Sequence, residues 1–444
     1  MSDMLSIGAS GVRAYQTALT TVGDNIANTG VEGYTRRTTT LGQVSSVGGI
    51  TGRAISGSGV TVLGIRREAE EWRASSVRSA GADLARTETG SVWLNAIQSS
   101  LTGNSLGERL TGFFTTARAL AADPTSVPQR AVLVETATTL AAAFAATGRA
   151  LDQSMAELDA TAQQATDQLN ALGASLAKVN DGLARAGVGG VTAAQLADQR
   201  DQILEQMSAL TDIGVTTDHV GRATVKLGGS GPTFVVGTQA GHVTFDRQGG
   251  ATALVVQQGG SFQTFTPVGG ALAGIGEGAT RIADTRASLN AIASDFVAVV
   301  NAGQAGGRDL DGQPGAPLFA VGDTPTNVTM VLDDPRGLAA AGVGAGTRDA
   351  SNLAALERER GGRGWEQGVT ALVTGNAAAL EQRKLVTEAQ TAIRDGAIAA
   401  QAAVSGVDLD QEAVDLMRFQ QAYQASSRVI QVARDVMQTI LDIR

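Results

Sequence analysis

Few residues in this chain have the types and spacings that chemistry needs. There is no cysteine, so disulfides and thiolate metal sites are excluded, and only His219 and His242 supply imidazole. Asp309-Leu310-Asp311-Gly312 opens like a calcium loop. No third Asp or Asn follows in register, and Ala320 stands where the closing Glu belongs, so the segment reads as a Gly-rich turn. Gly187-Val188-Gly189-Gly190 lacks the Lys-Ser/Thr pair of a phosphate loop and reads as a helix stop. Asp198, Arg200 and Asp201 cluster near a predicted helix end, the pattern of solvated ion pairs. Acids are plentiful, but nothing singles out a pair for glycoside hydrolysis, and the aromatics that line sugar clefts are scarce. The expectation is a protein that is not an enzyme, with no cofactor and no metal.

The bulk numbers agree. A chain of 444 residues has room for two or three domains. Aromatics are 4% and glycine is 56 residues, which suits close-packed helices and thin sheets better than a deep ligand pocket. The net charge of −9 is spread along the chain and argues against a nucleic-acid partner. No apolar run of bilayer length stands out, so membrane insertion is not expected. The start Met1-Ser2-Asp3-Met4 shows no basic leader and apolar block. The expectation is a protein that stays inside or leaves by a route that reads an uncleaved end.

The strongest pattern lies at the two ends. Leu5, Val12, Leu19 and Ile26 are seven apart, with Gly8, Tyr15 and Val22 three residues after the first three. This is the a/d seam of a coiled coil, although a helix packed on its own domain accounts for the segment equally well. At the other end Leu409, Leu416, Tyr423, Ile430 and Met437 are seven apart, with Phe419, Ser426, Ala433 and Ile440 interleaved. Asp408, with Gln411 after it, reads as a capping-box start. Two such segments can close on each other and on copies of the same chain, looping the rest out as an insertion.

Between the ends, a helical stretch is predicted over about 68–122. A longer one follows, with apolar residues spaced four and three from Leu133 to Leu183, a rod of roughly 75 Å that Gly148 and Gly173 would weaken. Alternating runs at Ala223–Leu227, Thr233–Val236, His242–Phe245, Ala253–Val256 and Phe262–Thr266, separated by Gly-rich turns such as Gly228-Gly229 and Gly259-Gly260, predict an antiparallel β module. Helix returns at about 279–302, an irregular stretch covers about 303–348, and a helical hairpin is expected over about 365–404. The fold class is therefore mainly α with an inserted β domain. It has terminal helices paired as a coiled coil, a long helical rod domain and a small antiparallel β outer domain. The expected division is 1–45 with 405–444, then 46–211 with 281–404, then 212–280.

Asp24-Asn25-Ile26-Ala27-Asn28 followed by Gly33-Tyr34-Thr35-Arg36 resembles the N-terminal signature of flagellar axial proteins. The Gly-Tyr-Thr-Arg form resembles the hook-associated protein 1 (FlgK) family in particular. Ser405-Gly406-Val407-Asp408-Leu409-Asp410-Gln411-Glu412 and Phe419-Gln420-Gln421-Ala422-Tyr423 resemble that family's C-terminal signature. Asp198-Gln199-Arg200-Asp201-Gln202-Ile203-Leu204 and the segment 307–319 resemble its internal segments. The resemblance implies a structural subunit joining hook to filament in the bacterial flagellum, outside the cell, exported by the flagellar type III apparatus without signal cleavage. It implies as partners copies of itself, hook protein, a second hook-associated junction protein and a cytoplasmic export chaperone. It adds Asn25, Asn28, Gly33 and Tyr34 to an assembly interface otherwise read from the heptads. The short β module implies a reduced outer domain. Another axial protein (hook protein or the second junction protein) and an exported cell-wall hydrolase are the competing readings.

Overall fold

The computed structural model describes residues 2–31, 33–44 and 59–442. Helix α1 (Ser2–Ala27) leads into a β-hairpin of β1 (Arg37–Gln43) and β2 (Val60–Arg67). Its register sets Arg37 opposite Arg67, with a bulge between Thr40 and Leu41. Helices α2 (Glu71–Thr102), α3 (Leu106–Ala122), α4 (Val127–Ala186) and α5 (Val191–Leu210) follow. The β module is two antiparallel sheets. One holds β3 (Ile213–Thr217), β4 (Ala223–Leu227), β5 (Thr233–Val236) and β6 (Gln239–Ala240); the other holds β7 (His242–Gln248), β8 (Ala251–Gln258) and β9 (Ser261–Phe265). Then come α6 (Gly270–Gly306), a small ribbon of β10 (Phe319–Val321) and β11 (Val328–Met330), α7 (Ser351–Arg363), α8 (Trp365–Ser405) and α9 (Leu409–Asp442).

Helix α4 is the spine. Its 60 residues span about 90 Å at 1.5 Å each. Ser126 caps it, accepting from the Gln129 amide, and Pro128 sits in the first turn where its missing N–H costs nothing. Leu133, Leu140, Phe144, Leu151, Leu158, Leu169, Leu176 and Leu183 form one buried line along it. Gly148 and Gly173 do not break it. A Cβ at Gly173 would come within 2.6 Å of the Phe234 ring on β5, so glycine marks where another element presses closest. Two asparagines pin the sheets to the spine through strand backbone. Asn180 bonds the Ala223 amide and carbonyl at 2.9 and 2.8 Å, and Asn170 bonds those of Val243 at 2.7 and 2.9 Å.

The core gathers where α3, α4, α6, β10 and the start of α8 converge. Phe296 is fully buried, with ring centroids of Phe113, Phe144, Phe319 and Trp365 between 5.4 and 5.8 Å away. The stretch expected to be one helix over 68–122 is broken at Gly103–Ser105, where Ser105 takes φ +48°. The hairpin expected over 365–404 is one continuous 41-residue helix that runs along α2 instead of folding back. The expectation that no stretch is apolar over bilayer length needs correction. α4 alone among the described helices holds an 18-residue window apolar enough. The cause is its alanine content, and its leucines are turned into the protein. β1 and β2 pair across the expected boundary at 45/46, which itself lies outside the described residues.

Phe296→Ala removes the ring on which this core converges and should cost ~3–5 kcal/mol. The urea midpoint of the rod should fall accordingly. An unchanged midpoint would mean the aromatic cluster is not what joins α3, α4, α6 and α8.

Candidate assembly site at the joined chain ends

Helices α1 and α9 pack antiparallel along their lengths. The contacts give the register. Ile430 lies against Gly8, Ser426 against Gly11, Phe419 beside Tyr15 with ring centroids 6.4 Å apart, and Glu412 against Asn25. Glycine is required at the close crossing, because a Cβ on Gly8 would come within 2.7 Å of Ile430 Cγ1. Asp408 caps α9, its carboxylate accepting the amides of Asp410 and Gln411 at 2.9 and 3.4 Å.

The residues buried on α1 are Gly8, Gly11, Ala14, Ala18, Thr21, Val22 and Asn25. The expected seam of Leu5, Val12, Leu19 and Ile26 is therefore rotated. The first three are half-buried and Ile26 is exposed, while Tyr15 is half-buried and Val22 buried. The cause is a second neighbour that the heptads do not announce. The β1–β2 hairpin covers another face of α1, with the Ser10 hydroxyl accepting from the Val60 amide and Thr39 donating to the Thr21 hydroxyl.

On α9 the covered face runs through Glu412, Leu416, Phe419, Tyr423, Ser426, Ile430 and Ala433. Leu409, Met437 and Ile440 were expected in the seam, yet they are 51%, 49% and 50% exposed. Two reasons account for this. Glu412, not Leu409, takes the first inward position. The register pairs Gly8 with Ile430, so α1 begins before the last two turns of α9 are covered.

Below the helix pair lies a polar network. Asn25, 1% exposed, is its hub. Its carboxamide donates to the Arg37 carbonyl at 2.9 Å and to Glu412 Oε2 at 3.0 Å, and accepts from the Arg37 amide at 3.0 Å and the Tyr34 hydroxyl at 2.8 Å. Burial pushes the Tyr34 phenol up, with the Arg37 guanidinium over its ring pulling the other way, so Tyr34 remains a protonated donor. Glu412 also accepts from Arg36 Nε at 2.7 Å. The Gly33 φ of +77°, with Gln202 pressed against it, turns the chain so that Tyr34 faces Asn25. Asn28 bonds back to its own helix at Asp24 and stays outside the network.

Asp198, expected to be solvated, is buried. It receives Arg37 Nη2 at 2.7 Å and Arg67 Nε at 2.8 Å, while Asp201 receives Arg67 Nη2 at 2.6 Å. The correction has a simple cause. The hairpin lies on α5 and delivers two guanidinia to a helix face that looks like surface in one dimension. Heptad reasoning passed over Arg36, Arg37, Arg67, Asp198 and Glu412; the paired arginines before a β-rich run were the available signal.

Among the described residues no group of three or more His, Asp or Glu is placed to hold a metal. Asp309 accepts the amides of Asp311 and Gln313, closing a turn. What the geometry does is fix two chain ends to each other and to the rod.

Asn25→Ala leaves the Arg37 amide and carbonyl and one Glu412 oxygen without their partner, at ~1–3 kcal/mol per buried group. Amide exchange over 37–43 should quicken in this variant, and more so in Asn25→Asp, which sets a second carboxylate beside Glu412. Exchange equal to the parent in both variants would remove Asn25 from the hub.

The model of the flagellar hook-associated protein FlgK helical domain matches residues 94–319, just over half of the chain. That of the flagellar basal body rod FlgEFG protein C-terminal region matches residues 401–443. Flagellar hook-associated protein 1 of Escherichia coli K12 is 28% identical over 372 residues, 80% of this chain and 66% of the relative. The Salmonella typhimurium protein of the same name is 29% identical over 334 residues, 72% of this chain and 60% of the relative. The chain thus spans about three fifths to two thirds of the length of these curated relatives. The solved flagellar hook junction protein FlgK from Burkholderia pseudomallei superposes with a TM-score of 0.50 at 24% identity, over 56% of this chain and 47% of that one, a likeness of fold. With the helical-domain match running from the end of α2 through α6 and the C-terminal match covering α9, the chain belongs to the FlgK family of flagellar hook-associated proteins.

Proposed function

We propose that this chain is a non-enzymatic structural subunit at the joint between hook and filament of a bacterial flagellum, and that it assembles through α1 and α9. The observation that carries this reading is the outer row of α9. Val414, Met417, Val432 and Val436 are exposed on the side of α9 turned away from α1, and Met437 and Ile440 are exposed on the last turns, which α1 does not reach. A row of apolar side chains this long on a soluble subunit marks an interaction surface, and copies of the chain present it repeatedly. Family membership supports placing that interaction in the flagellar axis. The relatives' names support the hook as a neighbour, and a second junction protein is the neighbour we propose on the other side. Export through the flagellar type III apparatus, with a chaperone holding α9 beforehand, fits a helix that leaves so much apolar surface uncovered.

The match of residues 401–443 to rod and hook proteins favours, by itself, any axial protein. The helical-domain match over 94–319 favours the junction subunit.

Val436→Asp tests the reading, because Val436 is 42% exposed in the single chain, and exposed substitutions change stability by only about 0.5 kcal/mol. Thermal melting should match the parent. Cells carrying the variant should fail to swarm and should release filament subunits into the medium. Normal swarming with normal filaments would overturn assembly through this row.

A further inference from the structure

The polar network under the end helices contains a link that neither the family nor the assembly role requires. Arg36 and Arg37 are consecutive residues with partners on different elements. Arg36 Nε donates to Glu412 on α9 at 2.7 Å, and Arg37 Nη2 donates to Asp198 on α5 at 2.7 Å. Across the hairpin, Arg67 sits opposite Arg37 and takes the other oxygen of the same Asp198 carboxylate at 2.8 Å. One buried carboxylate thus seats both strands. Arg67 continues to Asp201, Arg200 shares that acid, and Arg200 Nη1 donates to the Gly221 carbonyl in the turn between β3 and β4 at 2.6 Å.

The connection between the two arginines runs through Asn25. Its amide nitrogen is divided between the Arg37 carbonyl and Glu412, and its oxygen holds the Arg37 amide. Glu412 is fully buried and supplies the acceptor for both Arg36 Nε and the second Asn25 proton. Lifting α9 from α1 therefore withdraws the acceptor that orients Asn25 and Arg36 at once. The backbone of Arg37, and with it the aim of its guanidinium at Asp198, depends on that orientation. Buried polar networks of this kind lose more than one bond when one member leaves.

We propose that docking of α9 on α1 and seating of the β1–β2 hairpin on α5 are one cooperative event, transmitted by Glu412 through Asn25 and the Arg36–Arg37 pair. By linkage, whatever binds α9 and favours its docking tightens the hairpin on the rod by the same factor, and the reverse also holds. The chain end is then a clamp: contact made by a neighbouring subunit on α9 stiffens the joint between end helices and rod.

The absence of native cysteine makes the test direct. Thr40→Cys on β1 and Gln199→Cys on α5, both exposed, carry spin labels in the full chain, and pulsed electron spin resonance reads the distance distribution between hairpin and rod. The labelled parent should give a narrow distribution. Asp198→Asn removes the seat directly and should abolish the narrow component. Glu412→Gln lies on α9 and on neither labelled element, yet it should abolish the narrow component to the same extent. The double variant should broaden the distribution no further, and Asp435→Asn, an equal charge loss elsewhere on α9, should leave the parent distribution intact. Arg36→Gln, on the hairpin side of the same bond, should reproduce the effect and serves if Glu412→Gln does not accumulate. Circular dichroism checks that each variant keeps its helix content. A narrow distribution in Glu412→Gln or Arg36→Gln, additive broadening in the double variant, or a parent already as broad as Asp198→Asn would each overturn the proposal.

Discussion

The structure depends on one buried amide side chain holding an edge that would otherwise be open. β1 presents the Arg37 amide and carbonyl to a helix, not to another strand, and buried backbone groups of this kind must find partners. Asn25 supplies a donor and an acceptor in one plane and replaces the missing strand. Because it is the last buried residue of α1, it also decides where that helix stops and where the chain turns. The same device recurs twice on α4, where Asn180 and Asn170 bind strand backbone and hold both sheets to the spine. At these three places helix is joined to strand backbone by an asparagine, with apolar packing filling the space between them.

This division of labour explains the low aromatic content. The one large cluster of rings among the described residues gathers around Phe296, where several helices meet and a large apolar volume must be filled. Elsewhere contacts are thin, two helices or a helix and a sheet, and small residues suffice. The end helices are the extreme case. α9 has one covered face and α1 two, so neither has an interior in the ordinary sense. Isolated helices of that kind owe their order to what packs on them, since nucleation is costly and propensity weak.

The long-period features were legible in the sequence because they are local and repeated. The spacing from Leu133 to Leu183 gave the spine, and the Gly-rich turns between alternating runs gave five strands, two of them with their observed limits. β3 and β6, the β1–β2 and β10–β11 ribbons, and the break at Ser105 were not read. Each is either very short or defined by pairing with a distant segment. In the site, the heptads placed the two helices together but misjudged the covered face. Hydrophobic period registers how much apolar surface a helix has, not how many neighbours share it. Asp198 was misread for the same reason. A carboxylate among charges looks solvated until two guanidinia arrive from residues more than a hundred positions away.

The crossing of α1 and α9 at Gly8 and Gly11 has a consequence for anyone who would redesign this end of the molecule. The conventional improvement of a helix pair fills its seam with leucine and isoleucine. Here the seam on α1 is glycine and alanine, and the fit is made by Ile430 and Ser426 sinking toward bare backbone. Filling those positions would raise every score of hydrophobic pattern while forcing the two backbones apart. The shape of the joint is carried by the side chains that are missing.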